Sequence, residues 1–465
     1  MIRFVVGTVL LLLAVGIATA DCPFEKLGEI YTAKTDEGVN IKLLRYAPIG
    51  ERPNYGAQPV VLFSGLMTSM AEYLSHTPES LRGIYKAQLP AELADWAKND
   101  PRIQKDPLLY YSLAYYLWKK GYDVWLVNYR GTGCGLLKSD MGSLQTSLDV
   151  WAIYDTKAAI RKVYEVTGKN SIIGGHSTGG LVSYVYLQGT KFVNTPACLL
   201  AQPWCKKVVS DSNLVNYRNG VNGYKNSETV LGVIAIDPAM IPPLPKLLDT
   251  KLGWTLLDYP MYIDLRGTIE KTAKSKFAWN ATLLTISLLF ESIYNLYENY
   301  GDRCELVRDL TFLNPDNLNP YTSDFLVRYV ADNLYTPTLA QYGDFGLRNT
   351  AREYFENGGR WTLVVPPEPN PGKDGYYYYI YNMKKVQVPF VTVLSELDGL
   401  VDADQIIRDL MQAKTQHPLD RYKVIPNTGH VDLPFGNNAP VEVFPYIGKW
   451  LDDLQVQKGY MVTPH

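Results

Sequence analysis

Gly175-His176-Ser177-Thr178-Gly179 is a G-x-S-x-G pentapeptide. It directly follows the apolar run Ser171-Ile172-Ile173 and precedes a helical segment, the strand–turn–helix setting of a nucleophile elbow. Flanking glycines let the backbone turn sharply, and the serine hydroxyl is then held above a sheet. Such a hydroxyl is a weak nucleophile until a base, usually His, takes its proton. The chain has five histidines, His76, His176, His417, His430 and His465. In this setting the partners follow in the order Ser, acid, His. His417 precedes the last predicted strand, whereas His430 follows it in Asn427-Thr428-Gly429-His430. The base is therefore expected at His430. The acid is expected at Asp398, where a core strand runs into Ser395-Glu396-Leu397-Asp398. Glu396, Asp402 and Asp404 are its neighbours, and a helix N-cap is the ordinary role for the latter two. Two backbone N–H groups must receive the oxyanion. One belongs to the residue after the nucleophile, Thr178, and the other to the loop after an early strand, assigned to Leu66.

The elements that must position these groups are legible as hydrophobic runs. Glu29 to Thr35 and Asn40 to Arg45 read as a hairpin around Asp36-Glu37-Gly38. Pro59 to Phe63, Tyr122 to Asn128, Ser171 to Gly175, Val230 to Ile236, Val388 to Leu394 and Arg421 to Ile425 read as buried strands. Leu108 to Lys119, Leu148 to Thr167, Leu181 to Leu187, Gln405 to Lys414 and Val441 to Leu454 have helical spacing. Strands alternating with helices predict a mostly parallel sheet covered on both faces. The stretch 241–385 breaks the alternation and carries the helical run Thr282 to Tyr300. It is read as an inserted cap, or lid, over the C-terminal edge of the sheet, where such sheets bind ligands. The core then comprises 21–240, with an insertion at about 190–229, and 386–465.

Composition narrows the class. The chain has 465 residues, 46% hydrophobic and 20% charged, with a formal net charge of -2. That balance is globular and gives no reason for a nucleic-acid partner. Tyrosine is in excess at 35 residues, a side chain suited to walls that meet amphipathic ligands. Arg3, the apolar run Val5 to Ile17 and Ala18-Thr19-Ala20 read as a signal peptide over 1–20. No later stretch is apolar enough to span a membrane, so the mature chain is expected in a secreted or lysosomal (vacuolar) lumen. Disulfides are permitted there. The five cysteines are Cys22, Cys134, Cys198, Cys205 and Cys304; Cys198 and Cys205 are close enough to close a small loop, but the connectivity stays open. Asn280-Ala281-Thr282 is an N-glycosylation acceptor pattern. No zinc-type Cys/His spacing is present.

Several local runs resemble the acid lipase family of α/β hydrolases, the gastric and lysosomal lipases. Phe63-Ser64-Gly65-Leu66 sits where that family has its oxyanion turn, and Gly121 to Gly131 resembles its GYDVW…N-x-RG segment. Tyr154-Asp155, Gly175-His176-Ser177, Tyr381-Asn382, Val388-Pro389, Asp398-Gly399-Leu400-Val401-Asp402 and Gly429-His430-Val431-Asp432 follow in the family's order. Ser64 replaces the family's His, and Thr190 to Thr229 looks like an extra insertion. The resemblance implies an α/β-hydrolase fold and a lipase or carboxylesterase acting on acylglycerols, steryl esters or similar lipid esters. The cap would touch a lipid interface transiently, and neither metal nor organic cofactor is expected. An esterase of small soluble esters is the rival reading, and a catalytically inactive binding protein of the same fold the more distant one.

Overall fold

A computed structural model of the chain describes residues 22–79, 82, 88–194, 206–241, 260–267, 314–319, 322, 325–354 and 369–457. Twelve strands are formed among these residues: β1 Gly28–Lys34, β2 Asn40–Tyr46, β3 Pro59–Phe63, β4 Asp123–Asn128, β5 Ser171–His176, β6 Thr190–Asn194, β7 Lys206–Ser210, β8 Val230–Ile236, β9 Tyr262–Ile263, β10 Leu334–Tyr335, β11 Phe390–Ser395 and β12 Arg421–Ile425. Eight of them make one sheet in the order β1-β2-β4-β3-β5-β8-β11-β12. β1 and β2 pair antiparallel, as do β2 and β4. All later neighbours are parallel. With a strand–turn–helix elbow after β5, this is the α/β-hydrolase fold.

The central strands are apolar throughout because both faces are covered. Side chains alternate between the faces. Val61, Phe63, Trp125, Val127, Ile173, Val233 and Leu394 share one core with the helices Thr156–Thr167 and Thr178–Leu187. Val60, Leu62, Val124, Leu126, Ile172, Ile234 and Val393 share the other with Leu113–Lys119 and Phe444–Gln457.

Local differences from the sequence reading have local causes. The helical run Leu108 to Lys119 is broken at Ser112, whose Oγ caps a new helix by accepting the Tyr115 N–H at 3.1 Å. The strand expected from Val388 begins at Phe390, because Pro389 has no N–H for the ladder. The insertion at 190–229 contains the antiparallel hairpin β6/β7 and the helix Ser212–Asn219, outside the main sheet. A disulfide joins Cys22 to Cys134, across 112 residues. Asn280, the run Thr282 to Tyr300, residues 1–20, Cys198, Cys205, Cys304 and His465 lie outside the described residues. No described helix is long and apolar enough to cross a membrane.

The described parts of 241–385 pack on loops that follow the strands. Asp332 N–H donates to Met67 O beyond β3, and Ser69 N–H to Val330 O. Tyr262 OH and Asn333 Nδ2 donate to Gly131 O beyond β4. Tyr342 OH lies 2.8 Å from Thr178 Oγ1 beyond β5.

Two of the segments that resemble the acid lipases meet in an ion pair. Arg130 spreads its guanidinium over Asp155, with Nη2 2.7 Å from Oδ1, and reaches Glu37 with Nη1. Both Arg130 and Asp155 are buried. Removing one partner strands the other charge in the interior. Asp155→Ala is expected to cost about 3–5 kcal/mol of stability in urea or thermal unfolding; a loss below about 1 kcal/mol would show that Glu37 alone satisfies the arginine.

Candidate active site

The elbow is built by backbone crowding. β5 ends at His176, and Ser177 follows with φ 53° and ψ -114° before the helix Thr178–Leu187 starts. A non-glycine residue there is strained, and its neighbours must hold it. Ser177 N–H donates to Ile236 O at 2.8 Å, and Ser177 O accepts from Gly180, Leu181 and Ala239 N–H. A Cβ on either Gly175 or Gly179 would collide with the Phe63 carbonyl oxygen, so both flanking positions require glycine. Among the described residues, four of the seven non-glycine residues with positive φ, Met67, Ser177, Asp237 and Asn427, fall just beyond β3, β5, β8 and β12. Strain is gathered at one end of the sheet.

Asp398 and His430 meet at that end. Asp398 follows β11, and its Oδ1 accepts the N–H groups of Leu400 at 2.6 Å and Val401 at 3.0 Å. Its Oδ2 lies 2.7 Å from His430 Nδ1, and the two side chains are 1% and 3% exposed. Asp402 instead caps the next helix through the Gln405 N–H. Glu396 accepts the Asn427 N–H. The loop carrying His430 is braced by Asp432, which accepts Gly429 N–H at 3.1 Å, Asn314 N–H at 2.8 Å and Asn317 Nδ2 at 2.6 Å. His417 lies before β12, where its Nδ1 accepts the Leu419 N–H. The His430 ring centroid is 4.6 Å from that of His176, the residue preceding Ser177. Among the described residues Ser177 Oγ forms no hydrogen bond.

The loop after β3 closes on the serine. A Cβ on Gly65 would lie 3.5 Å from Ser177 Cβ. Leu66 is next, and its N–H has no partner among the described residues. Thr178 opens a helix, where the first N–H groups have no intrahelical acceptor. Leu66 follows the residue packed against Ser177 and Thr178 follows Ser177 itself, and neither N–H has a partner among the described residues.

Three side chains that the sequence reading passed over tie these loops together. Glu72 is buried and accepts Gly65 N–H at 3.0 Å and Thr68 Oγ1–H at 3.2 Å, and it pairs with His176 Nδ1. His176 Nε2 reaches the His430 carbonyl at 2.9 Å. One carboxylate therefore links the loop after β3, the elbow and the loop after β12. The third is Asp237, directly after β8 and 3.9 Å from His430 Nδ1. The strand-end argument applied to Asp398 would have found Asp237, and the pentapeptide itself contains His176.

Burial dominates the electrostatics. It lowers His430, and the charge of His176 adds to this, taking the imidazole to about 3. Burial alone would also lower His176, but the charge and hydrogen bond of Glu72 outweigh it and raise that ring above its usual value. Burial raises Asp155, Asp237 and Glu353, and takes Asp332 and Asp398 to about 7 and Asp432 to about 6. A carboxyl raised in the fold keeps a proton that the unfolded chain has lost above about pH 4. For Asp332, Asp398 and Asp432 this stabilisation is present on the acid side and lost as pH rises through 6–7, and Asp155, Asp237 and Glu353 act in the same sense. His176 acts in the same sense, lost as pH rises through its folded value. His430 and His76, both lowered, act in the opposite sense below about pH 6.5. The six carboxyls outnumber them. The protein is expected to melt at least about 2 °C higher at pH 5.5 than at pH 7.5 by scanning calorimetry; a lower melting point at pH 5.5 would reverse this balance.

No protein-family model matches the chain. Two curated relatives do: the lipase lipl-5 of Caenorhabditis elegans, 28% identical over 169 residues, and the lipase lipl-3 of the same organism, 29% identical over 169 residues. Both relatives are lipases. The matched stretch covers 34% of this chain and 34% of each relative, so the chain spans about a third of their length. Among solved structures, naproxen esterase from Bacillus subtilis shares 16% identity at a TM-score of 0.38, covering 97% of both chains. The monoacylglycerol lipase of Paleococcus ferrophilus shares 14% at 0.41, covering 86% of this chain and 97% of its own. A bacterial membrane phospholipase A shares 14% at 0.43, covering 98% and 99%. At such values the fold rests on the strand order of this chain itself.

Proposed function

We propose that the chain is a secreted serine carboxylic ester hydrolase that cleaves lipid esters, such as acylglycerols or steryl esters, through an acyl-enzyme on Ser177. The reading is supported by the strained Ser177 at the end of β5, whose neighbour His176 has its ring centroid 4.6 Å from that of His430, and by the His430–Asp398 pair beyond β12 and β11. In this scheme Ser177 Oγ attacks the ester carbonyl carbon. His430 Nε2 takes the hydroxyl proton, a contact that tightens when substrate is bound. The oxyanion is held by the N–H groups of Leu66 and Thr178. Collapse expels the alcohol, which takes the proton from His430. Water then attacks the acyl-enzyme, with His430 again the base, and the acid product leaves Ser177 free. Asp398 keeps Nδ1–H pointed at itself and stabilises the imidazolium as it forms.

The relatives' names support lipid esters as the substrate class. The Cys22–Cys134 bond supports an oxidising compartment, extracellular or lysosomal. The raised buried carboxyls suit an acidic one. A fluorophosphonate probe followed by peptide mapping tests the nucleophile, and the expected adduct is on Ser177. Turnover of emulsified trioleoylglycerol and cholesteryl oleate, set against soluble short-chain esters, tests the substrate. Absence of any adduct would refute the serine mechanism, and turnover confined to soluble esters would refute the lipid assignment.

A further inference from the structure

A second carboxyl converges on the imidazole. Asp237 follows β8 in a left-handed conformation, φ 39°, that only a well-braced aspartate tolerates. Its side chain is 1% exposed, and Oδ2 lies 3.9 Å from His430 Nδ1. Oδ1 accepts the Ser395 N–H at 2.8 Å, and Oδ2 meets Ser395 Oγ. A carboxyl oxygen of Asp237, one of Asp398 and a ring nitrogen of His430 all lie within 4.8 Å of one another.

These contacts require a proton that no neighbour supplies. Ser395 Oγ lies within 3.0 Å of Gly429 O as well as against Asp237. A hydroxyl has one hydrogen, and both contacts are to acceptors unless the carboxyl carries its own. Two buried carboxyls this close impose the same count, since two carboxylates repel and one of them keeps its proton. Asp398 is the one held by two backbone N–H groups and by the imidazole, so the anion belongs there. The proton belongs on Asp237. The other titratable groups facing it are His430 and His176, with Glu72 behind His176.

We propose that Asp237 is a proton-carrying positioning residue that braces Asp398, and that it becomes the carboxylate partner of His430 when Asp398 is removed. This rests on the Ser177–His430–Asp398 reading above. In Asp398→Asn the repulsion from the Asp398 carboxylate is gone, and burial is left as the main force that keeps Asp237 protonated. Asp237 then releases its proton to solvent, and a shift of about 1 Å brings Oδ2 within reach of Nδ1–H.

The test is a double-mutant cycle of Asp398→Asn and Asp237→Asn on a soluble p-nitrophenyl ester, with kcat/KM followed against pH. A triad acid without a substitute costs about 10⁴-fold when replaced by Asn. Asp398→Asn alone is expected to cost only about 10²-fold, and its acidic limb is expected to move up, because Asp237 must now ionise. In the Asp237→Asn background the same substitution is expected to cost at least tenfold more. An equal cost in both backgrounds overturns the proposal. Should the double variant not fold, the profile of Asp398→Asn decides alone: an unmoved acidic limb overturns it. His430→Ala assayed alongside separates the two levels, since an active His430→Ala would refute the triad itself rather than the role of Asp237.

Discussion

Ser177→Ala is expected to lower kcat by about 10⁶-fold on any ester the protein turns over, with the melting temperature unchanged. The first half follows from removing the only atom that can bond to the acyl group. The second follows from how the elbow is held. Among the described residues every hydrogen bond made by Ser177 is a backbone bond, to Ile236 O and from Gly180, Leu181 and Ala239 N–H. Alanine keeps the Cβ, so the strained turn is no worse than before. Residual activity within tenfold of the parent, after exclusion of contaminating esterase, would show that another nucleophile does the work.

The two histidines flanking β12 give the second large effect. His430→Ala is expected to lose nearly all activity, whereas His417→Ala keeps most of it. β12 has five residues, so its ends are about 17 Å apart at about 3.3 Å per residue. Proton transfer needs a contact of about 3 Å. Ser177 and Asp398 both follow their strands, and only His430 does the same. A His417→Ala variant as inactive as His430→Ala, with an unchanged circular dichroism spectrum, would overturn the assignment of base and acid together.

What could be read before any coordinates follows from which forces are local. The parallel strands announce themselves because both faces are buried and the runs Val60–Phe63, Ile172–Ile173 and Val233–Ile236 are therefore apolar without alternation. The order of Ser177, Asp398 and His430 needed only strand direction. Glu72 was invisible because its partners, Gly65, Thr68 and His176, are assembled by the sheet, and a lone glutamate in a loop carries no pattern. Asp237 was legible by the same strand-end argument as Asp398, although Asp-Pro after a strand also reads as an ordinary turn. The Cys22–Cys134 pairing has no local signal at all across 112 residues. Ser112 ended a helix early through one side-chain bond that hydrophobic spacing does not register.

The Phe63 carbonyl oxygen has one further implication. It receives the Tyr73 hydroxyl and stands where a side chain on Gly175 or Gly179 would have to go. Any library that randomises the residues around Ser177 therefore has two silent columns, at 175 and 179, in which every codon but glycine is wasted. Diversity belongs instead at positions such as Met67, which is exposed, and Tyr342, whose hydroxyl lies 2.8 Å from Thr178 Oγ1, since neither is built into that turn. The evolvable part of this site is its wall, and the invariant part is a single peptide oxygen.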